Sequence, residues 1–328
     1  MKPARALRFP ERPAAQNPGV PFDRDAVLAL RVNRSAVERR AATIPTRRTV
    51  KQQWQAAWLL RAITCLDLTT LQGDDTPGTV QRLCAKARRP VRDDLLHALG
   101  VADLDLRVGA VCVYHAFVPV AVRALEGSGI PVAAVSAGFP AGLNPLPERL
   151  REIEASLAAG AREIDVVITR APVLTGAWEA LYDEVRACRE ACAGALMKVI
   201  LATGELATLT NVARASRVAL MAGADFIKTS TGKEAVNATL PVGVVMARAI
   251  RAYHEETGWA VGFKAAGGIR AARAALDWLI LMKEELGDRW LRSPLFRLGA
   301  STLLGDIERQ LEHFATGRYS AAYRHPMV

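Results

Sequence analysis

The chain of 328 residues has no apolar run approaching the eighteen or so residues that a membrane-spanning helix requires. Its start, Met1-Lys2-Pro3-Ala4-Arg5, leads into no hydrophobic signal core. A membrane protein is therefore not expected, and the expected compartment is the cytoplasm. Aromatic residues are scarce at 6%, against 51% apolar residues in all. The core must then be aliphatic, and it is large enough for one sizeable α/β enzyme domain. The five cysteines (Cys65, Cys84, Cys112, Cys188, Cys192) form no even, closely spaced framework. Cys188 and Cys192 lie one helical turn apart with no histidine near them, so neither a disulfide scaffold nor a zinc site is expected and the thiols are read as reduced. No Gly-x-Gly-x-x-Gly turn follows an early strand, which weakens the architectural alternative, a doubly wound sheet binding a dinucleotide.

Charge of one sign is concentrated. Residues 1–50 hold 11 Lys/Arg against 4 Asp/Glu, which accounts for most of the net +10, and the rest of the chain is close to neutral. The pairs Arg39-Arg40 and Arg47-Arg48 can in principle grip a phosphate backbone, but no aromatic interleaving or reader motif accompanies them, so no nucleic-acid partner is expected. A solvated basic arm is the simpler reading. Pro3, Pro10, Pro13 and Pro18 break any amphipathic targeting helix there.

What the chain does have is alternation. Apolar, strand-like runs at 62–68, 109–114, 132–136, 163–168, 196–201, 224–228, 260–264 and 295–299 are separated by amphipathic stretches. Leu146, Leu150, Ile153 and Leu157 recur at the helical interval, as do Leu304, Ile307, Leu311 and Phe314. Pro241 occupies the first-turn position of a helix running through Ile250. Eight strands, each followed by a helix, predict a TIM (β/α)8 barrel, with two extra N-terminal helices at about 25–42 and 50–62. The expected organisation is a basic arm over 1–22, a helical extension over 23–60, the barrel over 61–318 and a tail over 319–328.

Lys228 and Lys264 sit at the ends of two of these runs, each followed by a Gly-bearing turn, where a barrel directs side chains into its active-site mouth. A second cation about 4 Å away disfavours an ammonium by roughly 4 kcal/mol at an effective dielectric near 20, or about three pKa units. A lysine so depressed can attack a carbonyl and form a Schiff base. Asp165, flanked by apolar residues, needs cationic company. It is read either as a proton shuttle or as the partner of a structural ion pair with Lys198 or Lys264. Asp67 either binds a substrate hydroxyl or caps the Thr69-Thr70 turn. Three late turns, Thr231-Gly232-Lys233, Gly267-Gly268-Ile269-Arg270 and Gly299-Ala300-Ser301-Thr302, are each expected to open a helix and together to form a phosphate cup.

The runs Leu66-Asp67-Leu68-Thr69-Thr70-Leu71, Val111-Cys112-Val113-Tyr114, Glu163-Ile164-Asp165-Val166-Val167, Leu201-Ala202-Thr203-Gly204-Glu205-Leu206, Asp225-Phe226-Ile227-Lys228-Thr229-Ser230-Thr231-Gly232-Lys233 and Gly299-Ala300-Ser301-Thr302 resemble the deoxyribose-phosphate aldolase family in order and spacing, over about residues 50–318. The segment from Lys51 to Trp58 looks like the extra N-terminal helix of its longer members. The resemblance implies a class I, metal-independent aldolase with no cofactor, acting on a small phosphorylated sugar; the sequence leaves open whether it is a homo-oligomer. It implies that Lys228 forms the Schiff base, Lys264 lowers its pKa, Asp165 carries the proton relay and Lys198 supports it. Asp67 falls near the substrate hydroxyl, and Thr231, Gly232, Lys233, Gly267, Gly268, Gly299 and Ser301 at the phosphate. Two departures stand out, Ala265 and His115, both where the family commonly has proline. Tyr319 and Tyr323 lie in the tail, where some members use a C-terminal tyrosine, and neither is given a role.

Two other classes fit parts of the pattern. A pyridoxal-phosphate enzyme also uses a barrel lysine and a phosphate cup, but a second cation beside its imine has little use. A non-catalytic phosphate- or RNA-binding barrel would exploit the basic arm.

Overall fold

A computed structural model describes residues 16–47 and 50–327. Eight parallel strands close on themselves in chain order: β1 (Leu66–Thr69), β2 (Ala110–Tyr114), β3 (Val132–Ser136), β4 (Glu163–Val167), β5 (Leu196–Ile200), β6 (Phe226–Lys228), β7 (Gly262–Ala266) and β8 (Phe296–Ala300), with β8 pairing back onto β1. The TIM barrel read from the alternation is what forms. An outer helix follows each strand in turn: Pro77–Arg88, Val118–Ala124, Leu146–Ala158, Trp178–Ala191, Leu209–Met221, Leu240–Thr257, Ala272–Leu286 and Leu303–Thr316. No helix among the described residues is long and apolar enough to cross a membrane.

Strand side chains alternate between two faces, and here the faces differ sharply. Leu66, Leu68, Val111, Val113, Ile164, Val166, Met197, Val199, Ile227, Phe263, Phe296 and Leu298 point outward into one apolar layer shared with the helices. Burying each such side chain contributes about 1.5–3 kcal/mol. The inward positions divide in two. Cys112, Ala133 and Val135 of β2 and β3 form a small apolar cluster. The inward positions of β1 and β4–β8 carry Asp67, Glu163, Asp165, Lys198, Lys228, Lys264 and Arg297, all buried.

Among the described residues three N-terminal α-helices, not two, precede the barrel: α1 (Arg24–Ala29), α2 (Arg34–Thr43) and α3 (Gln52–Thr64). The single helix expected over 25–42 is broken at residues 30–33, where the Asn33 side chain accepts from the Ala36 N–H and restarts the helix as its N-cap. Helix α3 runs on to Thr64, so β1 begins at Leu66 and not at 62. Leu59, Leu60, Ala62 and Ile63 are apolar in a way that suits either element.

Two cations of the basic N-terminal stretch are engaged by one of the barrel's outer helices. Arg40 pairs with Glu284 at 2.9 Å and with Glu285 at 2.8 Å, and Arg47 pairs with Glu284 at 2.7 Å. These pins fasten the N-terminal helices to the helix Ala272–Leu286. Residues 16–22, assigned to the solvated arm by charge alone, lie against the barrel. The Asn17 side chain is buried, donates to the carbonyls of Leu220 and Ala224 at 2.8 and 3.0 Å, and accepts from the Tyr253 hydroxyl at 2.9 Å. The remainder of the arm, residues 1–15, and Arg48 lie outside the described residues.

Candidate active site

Barrel register brings the charged residues together. Asp165 lies opposite Lys198, Lys228 opposite Lys264, and Lys264 opposite Arg297, so adjacent strands present a row of cations to facing carboxylates. Asp165 is the hub. Its Oδ1 accepts from Lys198 Nζ at 2.8 Å, and its Oδ2 accepts from both Lys228 Nζ (2.8 Å) and Lys264 Nζ (2.7 Å). The two lysines singled out in the sequence thus meet on a single oxygen. Lys228 is the last residue of β6, as expected, but Lys264 is in the middle of β7.

Asp67 does not cap the Thr69-Thr70 turn. Its carboxylate is fully buried beneath the lysines, with Lys264 Nζ at 2.5 Å and Arg297 Nη1 at 2.5 Å. The Thr69 hydroxyl donates to the Asp67 carbonyl and the Thr70 hydroxyl to Asp75, so the turn is held without the Asp67 side chain. Two charged residues were missed by sequence reasoning. Glu163 binds Lys198 at 2.6 Å, and Arg297 reaches Glu163 at 2.8 Å. Their signal was present: Glu163 stands two residues before Asp165 and so faces the same way, and Arg297 is a cation between Phe296 and Leu298 in a strand.

Burial is the largest influence on Lys228 and pushes its amine below the ordinary value. Asp165 opposes this, and the charge of Lys264 adds to the lowering. The expectation that the second cation dominates is thereby corrected: desolvation leads and Lys264 assists. Burial also disfavours charge on Lys264 and Lys198, but Asp165 with Asp67, and Asp165 with Glu163, override it and hold both above the usual lysine value. For Asp165, burial is outweighed by Lys198, Lys228 and Lys264, and the carboxyl stays well below its usual range. Of the three lysines, Lys228 alone is pushed toward the free amine.

Above the network opens a cavity of about 180 Å³ lined by Lys228, Lys264, Thr231, Gly232, Lys233, Gly267, Gly268, Arg270, Gly299 and Ser301. The late glycine turns therefore converge on the lysines. Gly267 and Gly268 take φ of +86° and +80°, and a Cβ on Gly267 would fall 2.6 Å from Asn237, so this turn requires glycine. Gly299 matters for space instead: a Cβ there would come 3.1 Å from Lys264 Cε. The turns at 267–270 and 299–302 run into helices beginning at Ala272 and Leu303, but the turn at 231–233 does not, because the next helix starts at Leu240. The Thr231 N–H is bound by the Glu234 carboxylate at 3.0 Å. Asp67 and Asp165 stand behind the lysines and do not line the cavity.

The two departures prove benign in geometry. Ala265 points outward into the apolar layer, and β7 stays in register with β8 through Ala266. His115 lies on the rim, half exposed, with Nδ1 3.3 Å from Glu152. Tyr319 and Tyr323 are exposed, the former stacked on His313. The tail reaches the mouth through Met327, in a hollow that also touches Thr69, Gln72, Ser301 and Thr302.

A buried amine held below its usual pKa, opening into a cavity walled by glycine turns, on a closed barrel, is the arrangement that a Schiff-base enzyme of the aldolase class needs. A profile of the DeoC/LacD family aldolases matches residues 61–301. The chain belongs to that family. It is 60% identical over 316 residues to the deoxyribose-phosphate aldolase of Homo sapiens, covering 96% of this chain and 99% of that protein. To the deoxyribose-phosphate aldolase of Mus musculus it is 59% identical over the same shares. A solved structure, the deoxyribose phosphate aldolase from Aeropyrum pernix with its tetrameric assembly, matches with a TM-score of 0.58 at 23% identity, covering 80% of this chain and 98% of that one. At that identity the likeness speaks for the fold alone.

Proposed function

We propose that this protein reversibly cleaves 2-deoxy-D-ribose 5-phosphate to acetaldehyde and D-glyceraldehyde 3-phosphate, as a class I aldolase of deoxyribonucleoside catabolism. One observation carries the reading: of the two buried lysines that line the glycine-walled cavity, Lys228 and Lys264, only Lys228 is pushed toward its free amine. The substrate is supported by the near-complete coverage of relatives that bear this activity as their name.

In this reading the neutral Nζ of Lys228 attacks C1 of the open-chain aldehyde and water leaves, giving a protonated imine. The C3 hydroxyl proton is then withdrawn, the C2–C3 bond breaks, and its electron pair flows into the imine to form an enamine while C3 becomes the aldehyde of the triose phosphate. A proton returns to C2, and hydrolysis frees acetaldehyde and Lys228. Asp165 touches both Lys228 and Lys264 but not the cavity, so the ionised carboxylate acts on the substrate's protons through the Lys264 ammonium or a water and not by direct contact. Lys198 keeps Asp165 ionised from behind.

The phosphate is assigned to the turns at Gly232-Lys233, Gly267-Gly268 and Gly299 to Ser301, with the backbone near Thr231. Its binding is remote from the bond that breaks and serves orientation, so unphosphorylated deoxyribose is expected to lose kcat as well as affinity. The thiols of Cys84, Cys112, Cys188 and Cys192 are buried and unbridged, which suits the reducing cytosol proposed as the compartment. Self-association is proposed as well, on the exposed apolar side chains Trp54 and Leu143, and light scattering tests it.

The experiment is reductive trapping. With acetaldehyde and borohydride, peptide mapping should find a two-carbon adduct on Lys228, and Lys228→Ala should take none. Release of triose phosphate should persist in a chelator. An unmodified Lys228 in active protein would overturn the assignment.

A further inference from the structure

Arg297, Glu163 and Asp67 lie beneath the cavity and have no part in the chemistry just described, yet they bear on its charge. Arg297 is buried at the inward face of β8. Its Nη1 meets Asp67 at 2.5 Å, its Nη2 meets Glu163 at 2.8 Å, its Nε donates to the Ser293 carbonyl at 2.5 Å, and its guanidinium lies over the Phe226 ring at 5.9 Å. Gly262 leaves the space for that ring, since a Cβ there would fall 2.4 Å from it. A strand position has been emptied so that Phe226 can support a guanidinium inside the barrel.

The groups facing Lys228 from each strand can be counted. Asp67 comes from β1, Glu163 and Asp165 from β4, Lys198 from β5, Lys264 from β7 and Arg297 from β8. Strand β2 adds the Cys112 thiol and the half-buried Tyr114, both raised by burial and so uncharged, and the inward Ala133 and Val135 of β3 carry no charge. Lys233 and Arg270 line the outer cavity and are exposed to screening solvent. Within the buried network four cations therefore face three carboxylates. Glu163 is taken by Arg297 and Lys198. Asp67 is taken by Arg297 and Lys264. Asp165 is shared among three lysines.

We infer that Arg297, acting with Glu163, is a positioning residue for the aldol reaction: its guanidinium occupies the two deeper carboxylates, creates the single surplus of positive charge, and leaves Lys228 as the member without a carboxylate of its own. The inference rests on Lys228 being the nucleophile. Arg297 never touches substrate and acts through the charge it imposes. Register places it two strands from Lys228, across Lys264, roughly 10 Å at the backbone. A unit charge at that separation and an effective dielectric near 20 moves a pKa by about one unit.

The test is the pH dependence of kcat/KM for cleavage in four proteins, since this quantity reports the free enzyme. Arg297→Met removes the surplus, so Lys228 should hold its proton longer and the acidic limb should move up by about one pH unit. Glu163→Gln enlarges the surplus while keeping the side chain's shape, and the limb should move down by a similar amount. The double variant restores the surplus of one and should return close to wild type, although its contacts are disturbed at least as much as in either single variant. A merely structural role for Arg297 would lower kcat or the melting temperature without this reversal. Should Arg297→Met fail to fold, Glu163→Gln and the double variant still decide. A limb that stays put or rises in Glu163→Gln, or a double variant displaced from wild type, overturns the inference. Wild type is mapped in parallel for the Lys228 adduct: its absence would sink the nucleophile assignment, whereas its presence with unmoved limbs would sink only the role of Arg297.

Discussion

Replacing Lys228 and Lys264 one at a time by methionine should abolish cleavage in both cases and move stability in opposite directions. Methionine matches the length and volume of the alkyl stem, so the change is essentially loss of the amine. Without Lys228, Asp165 keeps Lys198 on Oδ1 at 2.8 Å and Lys264 on Oδ2 at 2.7 Å, so no carboxylate is orphaned and a desolvated amine disappears. A gain of about 1–2 kcal/mol is expected. Without Lys264, the Oδ2 of Asp67 retains only Lys198, at 3.6 Å. Breaking a buried pair in this way typically costs about 3–5 kcal/mol. The pH dependence carries a sign of its own. Lys228 is lowered in the folded protein, so at a pH above the unfolded value of about 10.4 it is neutral in both states and imposes no charge-burial cost. As pH falls below that value the unfolded chain takes up the proton first, and the cost grows until the folded pKa is passed. The advantage of Lys228→Met should then be greatest at neutral and acidic pH and shrink toward pH 10 to 11, the alkaline window set by the unfolded lysine value. Urea unfolding of the three proteins across that range measures it. A Lys228→Met protein less stable than wild type at neutral pH, or a Lys264→Met protein equal to it, would refute the charge assignment.

Gly299→Ala introduces a methyl 2.9 Å from the Ala266 Cβ and 3.1 Å from Lys264 Cε. It should cost about 1–3 kcal/mol in a melt and raise KM for the phosphorylated sugar, and an unchanged KM would count against the cavity as the binding site. Asn17→Ala removes the acceptor of the Tyr253 hydroxyl and the donor to two buried carbonyls. A loss of about 2–3 kcal/mol by urea titration is expected with kcat unaffected. Burial pushes the thiols of Cys188 and Cys192 up to about 12 and that of Cys84 up to about 11, so native protein at pH 7 should react slowly with a thiol reagent and unfolded protein should expose all five. Fast labelling of Cys188 in the native state would contradict that burial.

Much of this was legible in the chain, for identifiable reasons. The barrel was readable because outward strand positions such as Ile164, Val166, Met197 and Val199 form an unbroken apolar layer while the helices carry the 3.6 period. Lys228 and Lys264 were readable because two lysines, each ending an apolar run before a glycine turn, are harder to explain as rim lysines reaching solvent than a single one would be. What stayed hidden depended on partners distant in sequence. The Asp67 carboxylate is two residues before a threonine pair that invites a capping role, and only closure of β8 onto β1 puts Arg297 beside it. The fate of Arg40 and Arg47 was equally unreadable, since Glu284 and Glu285 lie more than two hundred residues away. Phe226 looked like ordinary core until the void at Gly262 gave it a place inside the lumen. The break between α1 and α2 turned on one capping side chain, Asn33, in a stretch whose composition suits a continuous helix.

Six of the eight strands alternate greasy outward teeth with ionic inward ones, and that two-sidedness limits how such a gene can change. Inserting or deleting a single codon within β1 or any of β4 to β8 would rotate every downstream tooth by half a turn, driving a charge into oil and a leucine or valine into the ionic lumen. Changes in length are therefore tolerated only in the connections, while the strands keep time with one another like meshed gears.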